Sequence, residues 1–145
     1  MKIISHRGFI NGTDKNLENN PEQILNLVNK GIDVEIDIRI HNNKFYLGHD
    51  EPMYEVTRDF IENEKLWCHA KTFSALQFLS KINCHYFWHQ NDDYTLTSRG
   101  FIWVYPGKPI LENSICVTPE NFDLDYSKCF GICTDHVKKY IKDLK

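Results

Sequence analysis

Residues 33–40 alternate strictly, with Val34, Ile36, Ile38 and Ile40 on one side and Asp33, Glu35, Asp37 and Arg39 on the other. A period of two over such a run specifies a β-strand with one apolar and one polar face. The continuous Val/Ile face has to pack beneath something. The polar face carries three acids without an interleaved lysine, so their repulsion must be relieved by Arg39 or by a cation. A solvent-facing strand surface is the competing reading of such a face.

Around this strand the periods switch between 2 and 3.6. Residues 2–5 form a short apolar strand entering His6-Arg7-Gly8, and the polar stretch 9–20 reads as a loop. Asn20-Pro21-Glu22-Gln23 is a helix start, with an Asn N-cap, a Pro at the first helical position and a Gln at the third. Ile24, Leu25, Leu27 and Val28 form the apolar stripe of that helix, and Gly31 ends it. Asn42-Asn43 turns the chain back into Phe45-Tyr46-Leu47 as a hairpin. Residues 65–71 predict another strand and 73–82 another helix. Short apolar runs follow at 85–89, 101–105, 114–117 and 131–133, and Val137, Tyr140, Ile141 and Leu144 mark a last amphipathic helix over 135–144.

No linker or repeat divides residues 1–145, so one domain is expected, and alternating β and α units favour a mainly parallel sheet or barrel. The chain of 145 residues falls short of the roughly 200 at the bottom of the range for a complete (β/α)8 barrel. Nine Phe, seven Tyr and three Trp supply a core and exclude intrinsic disorder. A net charge of -3 gives no field that favours nucleic acid, and no apolar stretch nears the ~20 residues of a transmembrane helix. The five cysteines are an odd number with no apolar leader before them, which predicts reduced thiols and a cytoplasmic protein. Cys129 and Cys133 alone make a poor zinc pair.

Several residues invite chemistry. Glu35 and Asp37 are two apart on one strand face, about 6.5–7 Å at Cα, a spacing at which both carboxylates can converge on one hard cation. His6 and His49 each end a strand-like segment. Two imidazoles flanking a phosphodiester would serve as general acid and general base near neutral pH. Arg7 beside Gly8 offers a fork for a phosphate where backbone can approach closely, and Asp50 follows His49 as an orienting group. Trp67, Trp88 and Trp103 read as core or pocket wall, with Trp103 the one placed to touch substrate. His85 and His89 read as core or rim packing.

Ser5-His6-Arg7-Gly8, Leu17-Glu18-Asn19-Asn20-Pro21, Asp33-Val34-Glu35-Ile36-Asp37 and Leu47-Gly48-His49-Asp50 together resemble, in order and spacing, the signature of the glycerophosphodiester phosphodiesterase family. That family belongs to the phospholipase-C-like phosphodiesterase barrels. The resemblance implies that His6 and His49 are the acid–base pair, that Glu35 and Asp37 are metal ligands, and that Arg7 holds the phosphate. In Trp67-Cys68-His69-Ala70-Lys71, Lys71 matches a family lysine, and His69 stands where the family carries a third acidic ligand. Gly131-Ile132-Cys133-Thr134-Asp135 resembles the family's closing strand.

The fold expected on this basis is α/β: a small, trimmed TIM-like barrel of about seven short strands with an incomplete outer helical layer. The expected function is metal-dependent hydrolysis of glycerophosphodiesters or related phospholipid head-group diesters. His6 and His49 would be catalytic, Arg7 and Lys71 would bind phosphate, and Glu35, Asp37 and His69 would hold a divalent metal. Glu18, Asp50 and Trp103 would support the pocket. Mg²⁺ or Ca²⁺ is the first expectation for the metal, and His69 opens it to Mn²⁺ or Zn²⁺. The alternative is an inactive relative that binds a phosphorylated ligand or a metal through the same residues. A carbonyl-ester or amide hydrolase is disfavoured because acyl chemistry has no use for a phosphate fork. The partner expected is a small-molecule phosphodiester, and exposed apolar sheet surface leaves a homo-oligomer open.

Overall fold

The computed structural model describes residues 1–142. The alternating segment becomes the central strand β2 (Asp33–His41), which follows β1 (Lys2–His6) and α1 (Pro21–Asn29). The Asn20 side chain accepts from the Glu22 and Gln23 amides, and Pro21 opens the helix without needing a partner for an N–H. After β2 come β3 (Lys44–Leu47), β4 (Tyr54–Val56), α2 (Arg58–Ile61), β5 (Leu66–Ala70) and α3 (Phe73–Leu79). The chain continues through β6 (His85–Trp88), β7 (Tyr94–Leu96), β8 (Ile102–Val104), β9 (Ser114–Val117), a 3-10 turn (Pro119–Asn121), β10 (Gly131–Thr134) and α4 (Val137–Tyr140).

All ten strands join one sheet. Its parallel part runs β6-β5-β2-β1-β10-β9-β8. Three antiparallel pairings make the sheet mixed: β3 on β2, β4 on β3, and β7 on β8. Strand β2 forks, pairing β5 from Val34 to Ile38 and β3 from Ile38 to His41. Among the described residues no ladder joins β6 to β7. Isolated bonds cross the gap, from the Ser98 amide to the Tyr86 carbonyl and from the Thr95 hydroxyl to the Trp88 carbonyl.

The pleat sorts residues between the two faces. Val34, Ile36 and Ile38 of β2 and Leu66, Cys68 and Ala70 of β5 join Ile24 and Leu27 of α1 and Ala75 and Leu79 of α3 in the larger core. The concave face holds a second cluster, in which Ile4, Trp67, Phe87, Trp103, Ile115, Val117 and Cys133 fill the hollow of the curled sheet. Asp33, at the opposite end of β2 from the cavity described below, accepts from Trp67 Nε1 at 2.8 Å and lies 3.6 Å from Lys2 Nζ.

The expectation of a trimmed TIM-like barrel with about seven strands and an incomplete outer helical layer is overturned. The molecule is a half-barrel built from one curled, mixed, ten-stranded sheet with a few short helices. The reason lies in the connections. Residues 105–113 between β8 and β9 are too few for a helical crossover, which takes about a dozen residues or more. The longer link from β9 to β10 holds only the 3-10 turn. Between β6 and β8 the chain returns as the antiparallel strand β7 where a barrel would place a helix.

Other sequence expectations are also adjusted. The interval 50–65 contains β4 and α2, which no periodicity announced, and α3 stops at Leu79 rather than 82. The last helix is confined to Val137–Tyr140, and the expected stripe residue Leu144 lies outside the described residues. No helix among the described residues is long and apolar enough to cross a membrane.

The core assignment gives a direct contrast. Ile36 is fully buried, whereas Phe73 is 74% exposed. Ile36→Ala is expected to lower stability by about 2–5 kcal/mol and Phe73→Ala by no more than about 0.5 kcal/mol. Urea unfolding at constant m-value measures both, and equal losses would contradict this placement of the core.

Candidate metal centre and acid–base site

Cross-strand register brings the polar face of β2 against its neighbours. His6 pairs with Glu35 across β1 and β2, and Asp37 pairs with His69 across β2 and β5. Glu35, Asp37 and His69 each offer one ligand atom, and these atoms all lie within 4.8 Å of one another. His69 Nδ1 stands 3.5 Å from Asp37 Oδ1 and 3.8 Å from Glu35 Oε2. The other ring nitrogen, Nε2, donates to the His89 carbonyl at 2.8 Å. Since a carbonyl only accepts, that bond fixes a proton on Nε2 and turns Nδ1 toward the carboxylates.

Both acids are buried. Burial, and then the neighbouring Asp37 charge, push the Glu35 carboxyl above the ordinary range. Burial acts the same way on Asp37, but the His69 ring, when Nδ1 carries a proton, and the Arg7 guanidinium outweigh it and hold that carboxyl well below its usual value. Asn19 clamps Asp37 twice: Nδ2 donates to Oδ2 at 2.9 Å, and Oδ1 accepts from the Asp37 amide at 3.0 Å. Arg7 Nε lies 3.3 Å from Asp37 Oδ2, and Nη1 donates to Glu18 Oε1 at 3.1 Å. Arg7 and Asn19 both take left-handed backbone (φ 55° each) and are joined by the Asn19 amide bonding the Arg7 carbonyl. Non-glycine residues rarely adopt this region, and such outliers concentrate at functional sites.

Two histidines face this centre, each held by a carboxylate. His6 Nδ1 donates to Asp135 Oδ1 at 2.6 Å. Asp135 is positioned in turn by its amide, which donates to Glu120 Oε1, an oxygen that also accepts from the Thr134 hydroxyl. His49 Nδ1 donates to Asp50 Oδ1 at 2.8 Å. The turn before His49 requires glycine, because a Cβ on Gly48 would fall 1.8 Å from the Glu51 carbonyl oxygen. Arg39 secures the turn by donating to the Gly48 and His49 carbonyls.

These side chains open on a cavity of about 450 Å³ at the carboxyl ends of the parallel strands. Of the residues singled out from sequence, His6, Arg7, Glu35, His49, His69, Lys71, Trp88, His89 and Trp103 line it. Asp37 lies just beneath, fully buried. Trp103 stacks on Phe87 at 4.5 Å, which fixes it as a wall. Glu18 and Asp50 do not line this cavity. They flank a smaller one of about 230 Å³ that shares His49, and they reach the centre only through Arg7 and His49. Trp67 is core, and so is His85, which bonds Thr97 and is pushed down to about 4 by burial and then by the Arg99 charge.

Sequence reasoning gave no part in the site to Asp135, Asn19 or Tyr105 and read His89 as core or rim packing; His89 and Tyr105 line the cavity. Asp135 and Asn19 stood within segments already singled out, but only the fold shows that they bond His6 and Asp37. Cys129 and Cys133 fall in different clusters, and all five cysteines are free and buried.

The Asp135 bond has a consequence for pH. Burial would lower the His6 value, but the Asp135 hydrogen bond and the Glu35 charge raise it above 6.5. A group whose value is higher in the fold than in the unfolded chain stabilises the fold below the unfolded value. That contribution is lost as pH rises through the folded value. In Asp135→Asn the His6 NMR titration midpoint is expected to fall. The stability gap to wild type should be largest below pH 6.5 and narrow above it. An unmoved midpoint would refute this role for Asp135.

Comparison with known proteins gives no match among family models, curated proteins or solved structures.

Proposed function

We propose that the chain is a metal-dependent phosphodiester hydrolase, related to the glycerophosphodiester phosphodiesterases, acting on glycerophosphodiesters or similar phospholipid head-group diesters. One observation carries this reading. Two carboxylate-held imidazoles and two cationic side chains share a single cavity with the Glu35–Asp37–His69 cluster. A protease or carbonyl esterase has no need of a guanidinium and an ammonium group beside a buried acid pair. A phosphoryl group, with charge spread over several oxygens, does.

The donor set fits a divalent cation, because Glu35 Oε1 and Asp37 Oδ1 are buried without a hydrogen-bond donor. When bound, such a cation supplies Lewis-acid stabilisation of the charge that builds on the phosphoryl oxygens. The chain's own groups do the rest. Arg7 and Lys71 draw the phosphate into the cavity. One of His6 and His49 takes the proton of the attacking oxygen, from water or a neighbouring substrate hydroxyl, as its bond to phosphorus forms. The other gives a proton to the leaving oxygen as that bond to phosphorus breaks. Asp135 and Asp50 hold Nδ1–H of the two rings, leaving each Nε2 for this exchange. The five free, buried thiols accord with a reducing compartment, and we place the protein in the cytoplasm.

Turnover of bis-(p-nitrophenyl) phosphate and of a glycerophosphodiester, with divalent ions supplied in turn, tests the proposal. Activity is expected to disappear with chelator and to fall by roughly 10²–10⁴-fold in His6→Ala and in His49→Ala. Ligand binding without turnover would instead identify a phosphoester-binding relative, and turnover indifferent to both substitutions would sink the hydrolase reading.

A further inference from the structure

A buried carboxylate oxygen without a donor costs more than an exposed one, so its persistence calls for a positive partner. Glu35 Oε1 and Asp37 Oδ1 are such atoms, and their two residues cluster with His69, whose Nδ1 lies 3.5 Å from Asp37 Oδ1 and 3.8 Å from Glu35 Oε2. His69 is set for one direction only. Its Nε2–H is committed to the His89 carbonyl, and its ring lies against Phe87 at 4.9 Å and 16°. A ring fixed at its far nitrogen in this way is the usual arrangement of a metal-binding histidine.

The charge balance then selects among ions. Two carboxylates and a neutral imidazole carry two negative charges, and Arg7 Nε, 3.3 Å from Asp37 Oδ2, offsets part of that. Mg²⁺ and Ca²⁺ are held by oxygen ligands and negative charge, and gain little from an imidazole. Zn²⁺, Fe²⁺ and Co²⁺ bond imidazole nitrogen well and accept mixed nitrogen and carboxylate sets. Resting on the reading of this cluster as a metal centre, we infer that it takes a first-row transition cation of the Zn²⁺/Fe²⁺ type in preference to Mg²⁺ or Ca²⁺. His69 ligates through Nδ1 and sets the choice.

Co²⁺ and Mg²⁺ titrated into the intact chain test this by calorimetry, with paramagnetic NMR of the Co²⁺ form. Carboxylate sites also prefer Co²⁺, so the measure is how far the preference depends on His69. In His69→Glu the Co²⁺-over-Mg²⁺ ratio is expected to fall at least about tenfold, as an imidazole bond is exchanged for a third charge. The wild-type Co²⁺ spectrum should contain a strongly shifted exchangeable imidazole N–H, as ligation through Nδ1 with the proton kept on Nε2 toward the His89 carbonyl requires, and His69→Gln should lack it. No saturable Co²⁺ binding, an unchanged ratio, or a shifted N–H that survives in His69→Gln would each overturn the inference. Should a variant fail to fold by circular dichroism, the wild-type spectrum decides, since absence of that N–H refutes Nδ1 ligation. Co²⁺ bound in this manner without phosphodiester turnover removes the hydrolase reading and leaves this inference standing. Mg²⁺-supported turnover with no dependence on His69 does the reverse.

Discussion

Two carboxylates buried side by side on the concave face of β2 are the constraint around which the rest of the molecule is arranged. Like charges taken out of water repel each other and lose hydration, at a cost of several kcal/mol per ion unless they are matched. The surroundings of Glu35 and Asp37 read as a set of responses. Arg7 lies against Asp37, Asn19 clamps it at two atoms, and His69 faces both acids across one strand pairing. Even so, one oxygen on each acid keeps no donor. Those two oxygens are where the proposed cation would add positive charge.

The fold serves this pair by partition. Strict alternation along β2 sends Val34, Ile36 and Ile38 to the helix-covered side and the acids to the hollow of the half-barrel. The aromatic cluster of Trp67, Phe87 and Trp103 fills the hollow below the cavity, lowering the local dielectric and strengthening every charge interaction above it. Strand ends then bring in the other groups: His6 from β1, His69 from β5, and Asp135 just after β10. A half-barrel with few helices is enough for this, because the site draws on strand termini and the turns after them rather than on an outer helical layer.

Local chemistry made much of this legible. The Asn20-Pro21 helix start, the β2 alternation and the Asn42-Asn43 turn all rest on interactions within a few residues, and each is where its chemistry places it. The failures have a common cause. Strand β7 and strand β4 are short and owe their pairing to partners, β8 and β3, that local pattern does not reveal. The barrel expectation failed for the same reason, since closure depends on what lies between β6 and β8, and there the chain turns back antiparallel instead of crossing over.

The sequence by itself determined the strand that carries Glu35 and Asp37, the residue types around them and the histidine at position 69, because side-chain period and residue chemistry are local properties. Only the tertiary structure decided what those residues do to each other. The Asp135 bond to His6 joins positions 129 apart in the chain, and the Asn19 clamp on Asp37 joins positions 18 apart. The His89 carbonyl that aims His69 Nδ1 at the acids belongs to the strand end beyond the next helix. Hydrogen-bond direction and burial at such contacts are set by the sheet's curl and register, and no local pattern encodes them.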